Sequence, residues 1–179
     1  MIEGRQVLTQ MLSEREHLDA AVEVGVAEGL FARELVNLGF GTVYLVDVWK
    51  HVGTLRGDGS QTDAWHEANY QNVLRLAEEH PDTVSILRGM SNDMVHNVPD
   101  ASLDFIHIDA THYREHVLND LRLWAPKAKP GAIISGHDYL NTSYTVKAGV
   151  DDYAAESGVD VQCTPYASIE NACFWFIAK

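Results

Sequence analysis

Short apolar runs alternate along the chain with longer segments in which apolar residues recur at helical spacing. The apolar runs predict buried strands at 20–25, 42–47, 83–89, 102–109, 131–138, 160–166 and 171–179. The amphipathic segments predict helices at 30–39, 64–80, 113–126 and 144–157, and a first helix at 2–17. Strands that alternate with helices indicate βαβ units and a mostly parallel sheet.

The last two strands are expected to break the parallel pattern. Only a short link joins 160–166 to 171–179, and a parallel crossover requires a much longer connection. This pair is therefore predicted to be antiparallel. Residues 1–179 are long enough for one sizeable core and are expected to form a single domain, with the helix of segment 1–19 packed outside the sheet.

Composition and charge narrow the range of partners. Hydrophobic residues make up 46% and charged residues 22%, as in ordinary globular domains. The formal net charge of −13 disfavours binding to nucleic acid and to anionic membrane surfaces. No apolar run approaches the roughly 20 residues of a membrane helix, and the N-terminus lacks the apolar core of a secretory signal. A cytoplasmic location is therefore expected, in which Cys163 and Cys173 would stay reduced.

Polar side chains stand at or just after the carboxyl ends of five predicted strands. They are Glu23, Asp47, Ser91 and Asn92, Asp109, and the pair His137 and Asp138. In an open parallel sheet, ligands bind beyond the carboxyl ends of the strands. This edge of the sheet is therefore the predicted functional site.

The segment EVGVAEG after the first strand predicts a tight turn. Gly25 allows the backbone to turn, and Gly29 allows a ligand or a helix to come close. Asp47 ends the second strand, 22 residues after Gly25, where a carboxylate can accept both hydroxyls of a ribose. Residue 27 is alanine, so the turn lacks the second glycine of a dinucleotide loop, and Glu28 would repel a pyrophosphate. A nucleoside with a cationic group fits better, and an ordinary α/β turn is the alternative.

Ser91 and Asn92 follow the third strand and allow two interpretations. Their short polar side chains could contact the edge of an adenine ring. Either residue could instead be the N-cap of a following helix, which stabilises a helix by about 1 kcal/mol. The sequence leaves both interpretations open, because one residue can cap a helix and also contact an adenine ring.

Asp109 ends the fourth predicted strand, and His137 and Asp138 end the fifth. If these strands are neighbours about 4.8 Å apart, the three side chains can converge. Two nearby carboxylates repel each other unless a cation lies between them, so the group is a predicted metal site. Oxygen ligands suit magnesium, calcium or manganese, whereas an added imidazole suits a transition metal. The alternative is that one aspartate caps a helix and the other is solvated.

His112 lies three residues after Asp109, where a helix is predicted to begin. The positive end of a helix and a nearby metal cation both disfavour imidazolium, although Asp109 favours it. A largely neutral imidazole could remove a proton from a substrate hydroxyl. An exposed loop histidine is the alternative. His107, two residues before Asp109, is expected to be a core residue or to support the site.

Five segments together resemble the successive motifs of class I S-adenosylmethionine-dependent methyltransferases: EVGVAEG, YLVDVW, RGMSNDM, FIHIDATHY and GAIISGHDY. The closer similarity is to small metal-dependent O-methyltransferases, the catechol-type and macrocin-type enzymes, and it extends from about residue 20 to the C-terminus. It implies a Rossmann-like methyltransferase fold of the α/β class. This fold has a mostly parallel seven-stranded sheet with an antiparallel last strand and helices on both faces.

The resemblance also implies a role for each matching residue. Glu23, Gly25 and Gly29 would line the methionine side of S-adenosylmethionine, Asp47 would hold its ribose, Val48 or Trp49 would lie against the adenine, and Ser91 and Asn92 would sit at the adenine edge. Asp109 would contact the cofactor's amino end and a divalent metal, magnesium or manganese, with His137 and Asp138 as the other protein ligands. His112 stands where catechol-type enzymes carry a lysine base, and His137 replaces a more usual carboxylate.

The resulting hypothesis is methyl transfer from S-adenosylmethionine to a hydroxyl oxygen of a small molecule, such as a sugar, a catechol or an alcohol. A divalent metal would assist, and His112 and Asp109 would be the catalytic residues. Trp49, loop 51–63 and segment 139–145 are expected to hold the substrate, the loop as a lid. The alternatives are an NAD-dependent oxidoreductase and a non-catalytic nucleoside-binding protein. Exposed aromatic residues at 174–176, or the first helix, could pair subunits in a homo-oligomer.

Overall fold

The computed structural model describes residues 4–53, 60–165 and 169–179. Within them the strands are β1 (Ala20–Val24), β2 (Thr42–Asp47), β3 (Val84–Arg88), β4 (Leu103–Ile108), β5 (Ala128–Gly136), β6 (Gln162–Cys163) and β7 (Phe174–Ile177). The α-helices are α1 (Gly4–Ser13), α2 (Leu30–Asn37), α3 (Asp63–Glu79), α4 (Ser91–Met94), α5 (Arg114–Trp124) and α6 (Val146–Ser157). Short 3-10 helices lie at Val95–Asn97, Ala125–Lys127 and Ile169–Asn171.

The strands form one sheet in the order β3-β2-β1-β4-β5-β7-β6. Strands β1 to β5 are parallel, and β7 runs antiparallel to both of its neighbours, β5 and β6. The predicted α/β fold, with a mostly parallel seven-stranded sheet and an antiparallel last strand, is confirmed. The strand order reverses between β1 and β4. The ends of these two strands therefore border the crevice in which open α/β sheets bind ligands.

Several element boundaries differ from the prediction. Strand β6 has two residues instead of spanning 160–166, because its ladder with β7 is limited to Gln162 and Cys163. Strand β5 begins at Ala128, before the expected residue 131, because its pairing with β4 starts ahead of a register shift between Leu103 and Phe105. The short helix α4 was expected only under the N-cap interpretation of Ser91 and Asn92, since four residues are too few to show an apolar repeat.

Apolar side chains cover both faces of the sheet, so the prediction of helices on both faces is confirmed. On one face the buried apolar side chains of α5 and α6 are Val117, Leu121, Trp124, Val146 and Val150. On the other face those of α1, α2 and α3 are Leu8, Leu12, Phe31, Ala32, Leu35, Val36, Val73 and Leu76. Helix α1 thus packs on a face of the sheet through Leu8 and Leu12. The assignment of residues 1–179 to a single domain remains a prediction.

The aromatic run near the C-terminus lies mostly inside the protein. Phe174 and Phe176 of β7 are buried in the core, where Phe176 stacks on Tyr153 of α6 with the ring centroids 5.7 Å apart. The prediction of a buried last strand is confirmed for these two phenylalanines, and the other expectation, that they are exposed and pair subunits, is wrong. Homo-oligomerisation itself stays a prediction.

Three further expectations concern single features. Cys163 is exposed, Cys173 is buried, and both are free thiols. No helix in the described ranges is long and apolar enough to cross a membrane. Of the predicted lid at 51–63, residues 54–59 lie outside the described residues.

Candidate active site

Two adjoining cavities open at the carboxyl ends of the central strands. The first cavity lies between the loops after β1, β2 and β3 and helix α5, and its wall includes Val48, Ser91, Asn92, Asn119 and Asp120. The second cavity lies between α1 and the ends of β1, β4 and β5, and its wall includes Arg5, Glu23, Asp109, His112, His137 and Asp138. Gly25, Ala27, Asp47, Trp65 and Ala110 line both cavities, which therefore meet at the loop after β1.

The two glycines of that loop have different roles. Gly25 has a φ of 91°, and a Cβ built on it would lie 2.3 Å from the backbone oxygen of Asp109. Glycine here therefore lets the loop after β1 touch the end of β4, and Gly25 lines both cavities. Gly29 has a φ of 81° and precedes α2, and its added Cβ would meet Val73 of α3 at 3.0 Å. It is absent from the described walls of both cavities, because it faces a helix.

Asp47 joins the loop after β1 to the end of β2. Its Oδ2 accepts hydrogen bonds from the backbone N–H groups of Val26 and Ala27, each at 3.0 Å, and its Oδ1 accepts one from Trp49 at 2.8 Å. A carboxylate offers about four acceptor positions, so one remains for a ligand hydroxyl. Asp47 thus fixes the turn and still faces both cavities.

Of the two residues expected at an adenine, Val48 lines the first cavity and Trp49 does not. Trp49 is 1% exposed, its Nε1 donates to the backbone oxygen of Ala27 at 3.0 Å, and its ring lies 5.0 Å from that of Tyr70. It packs in the core beneath the loop after β1, where it stabilises the turn. The expectations that Trp49 contacts the cofactor or holds the substrate are therefore wrong.

Ser91 and Asn92 lie in the first turn of α4, and both line the first cavity. The N-cap of this helix is Met90, which forms no side-chain capping hydrogen bond. The N-cap interpretation is therefore wrong for both residues. The Ser91 hydroxyl instead donates to Asp120 Oδ1 at 2.6 Å and accepts from Trp124 Nε1 at 2.8 Å.

The predicted convergence of Asp109 with His137 and Asp138 is present in the second cavity. Strands β4 and β5 pair in parallel, with Ile108 opposite Gly136, so their polar end residues lie side by side. One ligand atom from each of the three residues lies within 4.8 Å of the others. The chemistry and spacing of this Asp-His-Asp set fit a divalent cation.

His112 completes this cluster from the segment before α5. Its Nε2 lies 3.0 Å from Asp138 Oδ2 and 3.6 Å from Asp109 Oδ1. Its ring stacks on Tyr144, with the centroids 4.2 Å apart. Asp138 has a φ of 56° and accepts a hydrogen bond at Oδ1 from Asn141 Nδ2 at 3.0 Å. Both carboxylates therefore face one imidazole whose orientation is fixed by the stacked ring.

The charges in this cluster shift pKa values in opposite directions. Burial lowers the pKa of His112, but its contacts with Asp109 and Asp138 outweigh burial and raise this pKa to about 9. Burial raises the pKa of both aspartates, but hydrogen bonding to His112 together with their other polar and cationic neighbours outweighs burial and holds each pKa below its usual range. With no cation between the two carboxylates, this geometry favours the imidazolium form of His112. The expectation of a largely neutral imidazole included a nearby metal cation and stays a prediction, and the two carboxylates alone outweigh the helix end.

Arg5 of α1 enters the cluster from outside the predicted site. Its guanidinium pairs with Asp109 Oδ2 and lies 5.3 Å from the ring centroid of Phe31. The neighbouring Gly4 lets α1 dock closely, since a Cβ there would lie 2.4 Å from the backbone oxygen of Asn171. Arg5 neither ends a strand nor lies in a glycine-containing turn, so no sequence pattern predicts that it reaches the site. Its contact with Asp109 depends on how α1 docks.

Glu23 is a buried carboxyl group at the floor of the second cavity. It is 1% exposed, and its Oε2 has no hydrogen-bond partner among the described residues. Burial raises the pKa of Glu23 to about 8, although the charge of Arg5 lowers it. A ligand that donates a hydrogen bond or carries a positive charge would satisfy this group.

His107 lies in the core, as one of its two interpretations predicts. It is 0% exposed, its Nδ1 lies 3.0 Å from Ser135 Oγ, and its ring centroid is 4.6 Å from that of Phe31. Burial lowers the pKa of His107 well below its usual value, so the ring is neutral.

Two further residues of the site were outside the sequence prediction. Asp120 of α5 lines the first cavity and is 6% exposed. Its signal in the sequence is a carboxylate on the apolar helix face that also carries Val117, Leu121 and Trp124. Tyr144 lies in segment 139–145, which was expected to hold the substrate, but its stacking on His112 follows from no periodic pattern.

Comparison with known proteins identifies the family of this chain and its fold. Residues 22–139 match a family model described as a methyltransferase domain, a range that includes the loop after β1, Asp47, Asp109, His112 and the 137–138 pair. The uncharacterized protein y4gI of Sinorhizobium fredii (strain NBRC 101917 / NGR234) is 25% identical over 95 residues. This alignment covers 53% of the chain and 10% of the relative, so the chain spans about a tenth of the length of that relative.

Solved structures share the fold over nearly the whole chain. The O-methyltransferase NovP superposes with a TM-score of 0.69 at 19% identity, over 98% of this chain and 79% of that chain. A SAM-dependent methyltransferase from Aquifex aeolicus superposes with a TM-score of 0.61 at 17% identity, over 98% of this chain and 89% of that chain. At these identities the likeness shows the fold alone, which is the Rossmann-like fold of class I methyltransferases. Since the family model matches more than half of its residues, the chain belongs to the methyltransferase domain family.

Proposed function

We propose that this chain transfers a methyl group from S-adenosylmethionine to a hydroxyl oxygen of a small molecule. The observation that carries the proposal is the juxtaposition of Asp47, a ribose-type carboxylate, with the cluster of His112, Asp109 and Asp138 across the loop of Gly25. One side can hold a nucleoside, and the other can exchange a proton with a substrate. Family membership, and an O-methyltransferase of the same fold, support the proposal.

The wall of the second cavity fits the amino-acid end of this cofactor, which carries an ammonium and a sulfonium group. Its carboxyl groups are Glu23, Glu28, Asp47, Asp109 and Asp138, and they face the cations Arg5 and His112. The unpartnered Oε2 of Glu23 can accept a hydrogen bond from the ammonium group. Asp47 keeps an acceptor position for a ribose hydroxyl, and Val48 and Asn92 would border the base. When bound, the cofactor supplies an electrophilic methyl group.

The set of Asp109, His137 and Asp138 would hold a divalent cation. Two carboxylates suit magnesium or manganese, and the imidazole of His137 favours the transition metal. A cation bound there would stabilise an ionised hydroxyl oxygen and, by repulsion, lower the pKa of His112. Arg5 pairs with Asp109 and would compete for the same carboxylate.

His112 would act as the base for the substrate hydroxyl. In its neutral form, Nε2 can accept the hydroxyl proton, and Asp109 and Asp138 then stabilise the imidazolium that forms. The ring of Tyr144 keeps the imidazole in one orientation while the proton moves. His112 is thus assigned as the catalytic base, with Asp109 as a catalytic residue that orients it and would also hold the metal.

Two alternatives are less well supported. An NAD-dependent oxidoreductase would place a pyrophosphate at the start of α2, where Glu28 lines the second cavity and repels it. A non-catalytic nucleoside-binding protein would have no use for a histidine held between two carboxylates beside the cofactor cavity. The acceptor class is open to a sugar, a catechol or a simple alcohol.

The experiment is a transfer assay with methyl-labelled S-adenosylmethionine and a panel of catechols, sugars and aliphatic alcohols. It would be run with magnesium, with manganese and after EDTA treatment. We expect label to appear on the oxygen of at least one acceptor, and EDTA to reduce the rate at least tenfold, with manganese restoring it. Full activity after EDTA treatment would remove the metal from the proposal. Label on nitrogen or carbon acceptors alone would contradict hydroxyl transfer.

A further inference from the structure

A buried carboxylate, Asp120, lines the first cavity and is not among the residues that the proposed function uses. It lies on α5 and lines the same cavity as Asp47 and Val48. Its side chain is more than nine-tenths buried, with 6% of the residue exposed. A carboxylate so placed must have partners for its acceptor positions.

The hydrogen bonds that lead to Asp120 Oδ1 can run in only one direction. Trp124 Nε1 can only donate, so the Ser91 oxygen accepts from it at 2.8 Å. The single Ser91 hydroxyl hydrogen is then donated to Asp120 Oδ1 at 2.6 Å. Ser91 therefore has no hydrogen left to donate to a ligand, and Asp120 Oδ1 is held in one position.

The other oxygen remains available. Asp120 Oδ2 has no hydrogen-bond partner among the described residues and is not among their fully enclosed, unsatisfied atoms. Among the described residues no arginine or lysine pairs with Asp120, and His116, one helical turn earlier, is the residue that lowers its pKa electrostatically. Burial raises the pKa of Asp120 to about 6, so near pH 8 the group is ionised and lacks a cationic partner. A neutral N–H donor from the ligand would complete its contacts.

We propose that Asp120 Oδ2 accepts a hydrogen bond from the exocyclic amino group of the cofactor's adenine, and so selects a 6-amino purine over a 6-oxo purine. This inference rests on the proposed function. Asp47 lines both cavities and would take the ribose where they meet, whereas Asp120 lines the first cavity alone, which leaves it for the edge of the base. Val48 and Met90 provide apolar surface for a flat ring. A 6-oxo group would instead place an acceptor against an acceptor.

The test compares S-adenosylhomocysteine with S-inosylhomocysteine by isothermal titration calorimetry at pH 8. A hydrogen bond to a charged group is worth a factor of about 10 to 100 in affinity, and we expect the wild type to prefer the amino compound by at least tenfold. In Asp120→Asn, the Ser91 hydroxyl keeps the amide oxygen on its own side, so the NH₂ group turns toward the cavity. This variant should bind the two compounds within about threefold, because the amide can donate to the 6-oxo group.

The matched control is Asp93→Asn, which removes an exposed carboxylate from α4 outside the described walls of both cavities. Its preference should equal that of the wild type. Equal affinity of the wild type for both compounds would overturn the inference, and so would an unchanged preference in Asp120→Asn, while S-adenosylhomocysteine binding would still support the proposed function. A wild type that binds neither compound would overturn both.

Discussion

Asp109, Asp138 and His112 form a cluster whose charges are balanced by the protein itself. Arg5 and the imidazolium of His112 supply two positive charges to the two carboxylates. Burial raises the pKa of each aspartate, but His112, with Arg5 at Asp109 and with His137 and Asn141 at Asp138, keeps that pKa below its usual range. The cluster is therefore stable without a ligand, and a metal or a substrate would have to rearrange contacts that already exist.

We predict that His112→Gln abolishes most of the methyl transfer and leaves cofactor binding nearly unchanged. Removal of a general base lowers a rate by about 100-fold to 10,000-fold. His112 lies beyond the nucleoside side of the site, so the dissociation constant of S-adenosylhomocysteine should change less than about threefold. The measurements are kcat in the transfer assay and calorimetry.

The control for this prediction is His96→Gln, since His96 is an exposed histidine of a 3-10 helix away from both cavities. Its kcat should equal that of the wild type. A His112→Gln enzyme with the wild-type kcat would end the assignment of His112 as the base.

We predict that Arg5→Gln increases the affinity of the protein for Mn²⁺. Loss of the guanidinium removes a positive charge from Asp109, which would then be free to bind a cation, and an increase of at least about tenfold is expected. The measurement is calorimetric titration with Mn²⁺ alone. Arg15→Gln is the control, because Arg15 bonds the backbone oxygen of Gly131 at 3.0 Å and should leave the affinity unchanged.

The opposite result for Arg5→Gln would also be informative. A weaker affinity for Mn²⁺ would mean that Arg5 positions Asp109 for the metal instead of competing with it. No Mn²⁺ binding by either protein would remove the metal site.

We predict that Asp120→Asn stabilises the ligand-free protein at pH 8. The folded pKa of Asp120, about 6, lies above the ordinary value of 3.8, so the folded state favours the neutral form. Its contribution to stability is fully present below pH 3.8 and is lost as the pH rises through 6. At pH 8 the ionised group costs about 2 to 3 kcal/mol, which the amide avoids.

Urea denaturation from pH 4.5 to 8 measures this effect. The stability difference between Asp120→Asn and the wild type should grow as the pH rises to 6 and should level off above 7. If this stability difference is constant from pH 4.5 to 8, or falls as the pH rises, the effect does not come from ionisation of Asp120. His116 contributes to the same environment, so His116→Gln is the variant that tests its share.

At the scale of elements, the loop after β1 depends on the absence of a side chain at Gly25. We predict that Gly25→Ala destabilises the protein by at least about 2 kcal/mol more than Gly39→Ala. Both glycines have similar φ values, 91° and 88°, so the backbone strain is matched. A Cβ at Gly25 would collide with the end of β4, whereas a Cβ at Gly39 has nothing within 4 Å. Chemical denaturation of the two variants measures the difference, and equal losses would contradict the close contact.

The sequence could predict those elements whose positions follow from strand order. Asp109 and the pair His137 and Asp138 end neighbouring strands, so the parallel pairing of β4 and β5 alone brings them together. Gly25 and Asp47 could be predicted for the same reason, from β1 and β2. The bounds of the short strand β6 and of the helix α4 could not be predicted, because two to four residues carry no readable periodicity.

Other contacts depend on packing, which the periodic pattern does not encode. Arg5 reaches Asp109 because α1 docks closely at Gly4, and nothing in its sequence states where α1 will dock. Trp49 follows Asp47 and could face a ligand or the core. Its hydrogen bond to Ala27 and its burial show that Trp49 lies in the core. Asp120 was predictable in part, since a carboxylate on the apolar face of a helix indicates a buried polar role.

At the scale of the whole molecule, the negative net charge of the chain and the acidic wall of the second cavity favour the same class of ligand. The chain carries a formal charge of −13, and the second cavity is itself rich in carboxyl groups. Such a field favours a cationic cofactor and disfavours the pyrophosphate of a dinucleotide. The reversal of strand order between β1 and β4 places this cavity where α/β sheets bind their ligands.

The central claim is that these joined cavities bind a methionine nucleoside. Calorimetric titration of the wild-type protein with S-adenosylhomocysteine and, separately, with NAD tests it most directly. We predict saturable one-to-one binding of S-adenosylhomocysteine in the micromolar range and no measurable binding of NAD. Tight binding of NAD with none of S-adenosylhomocysteine would contradict the account.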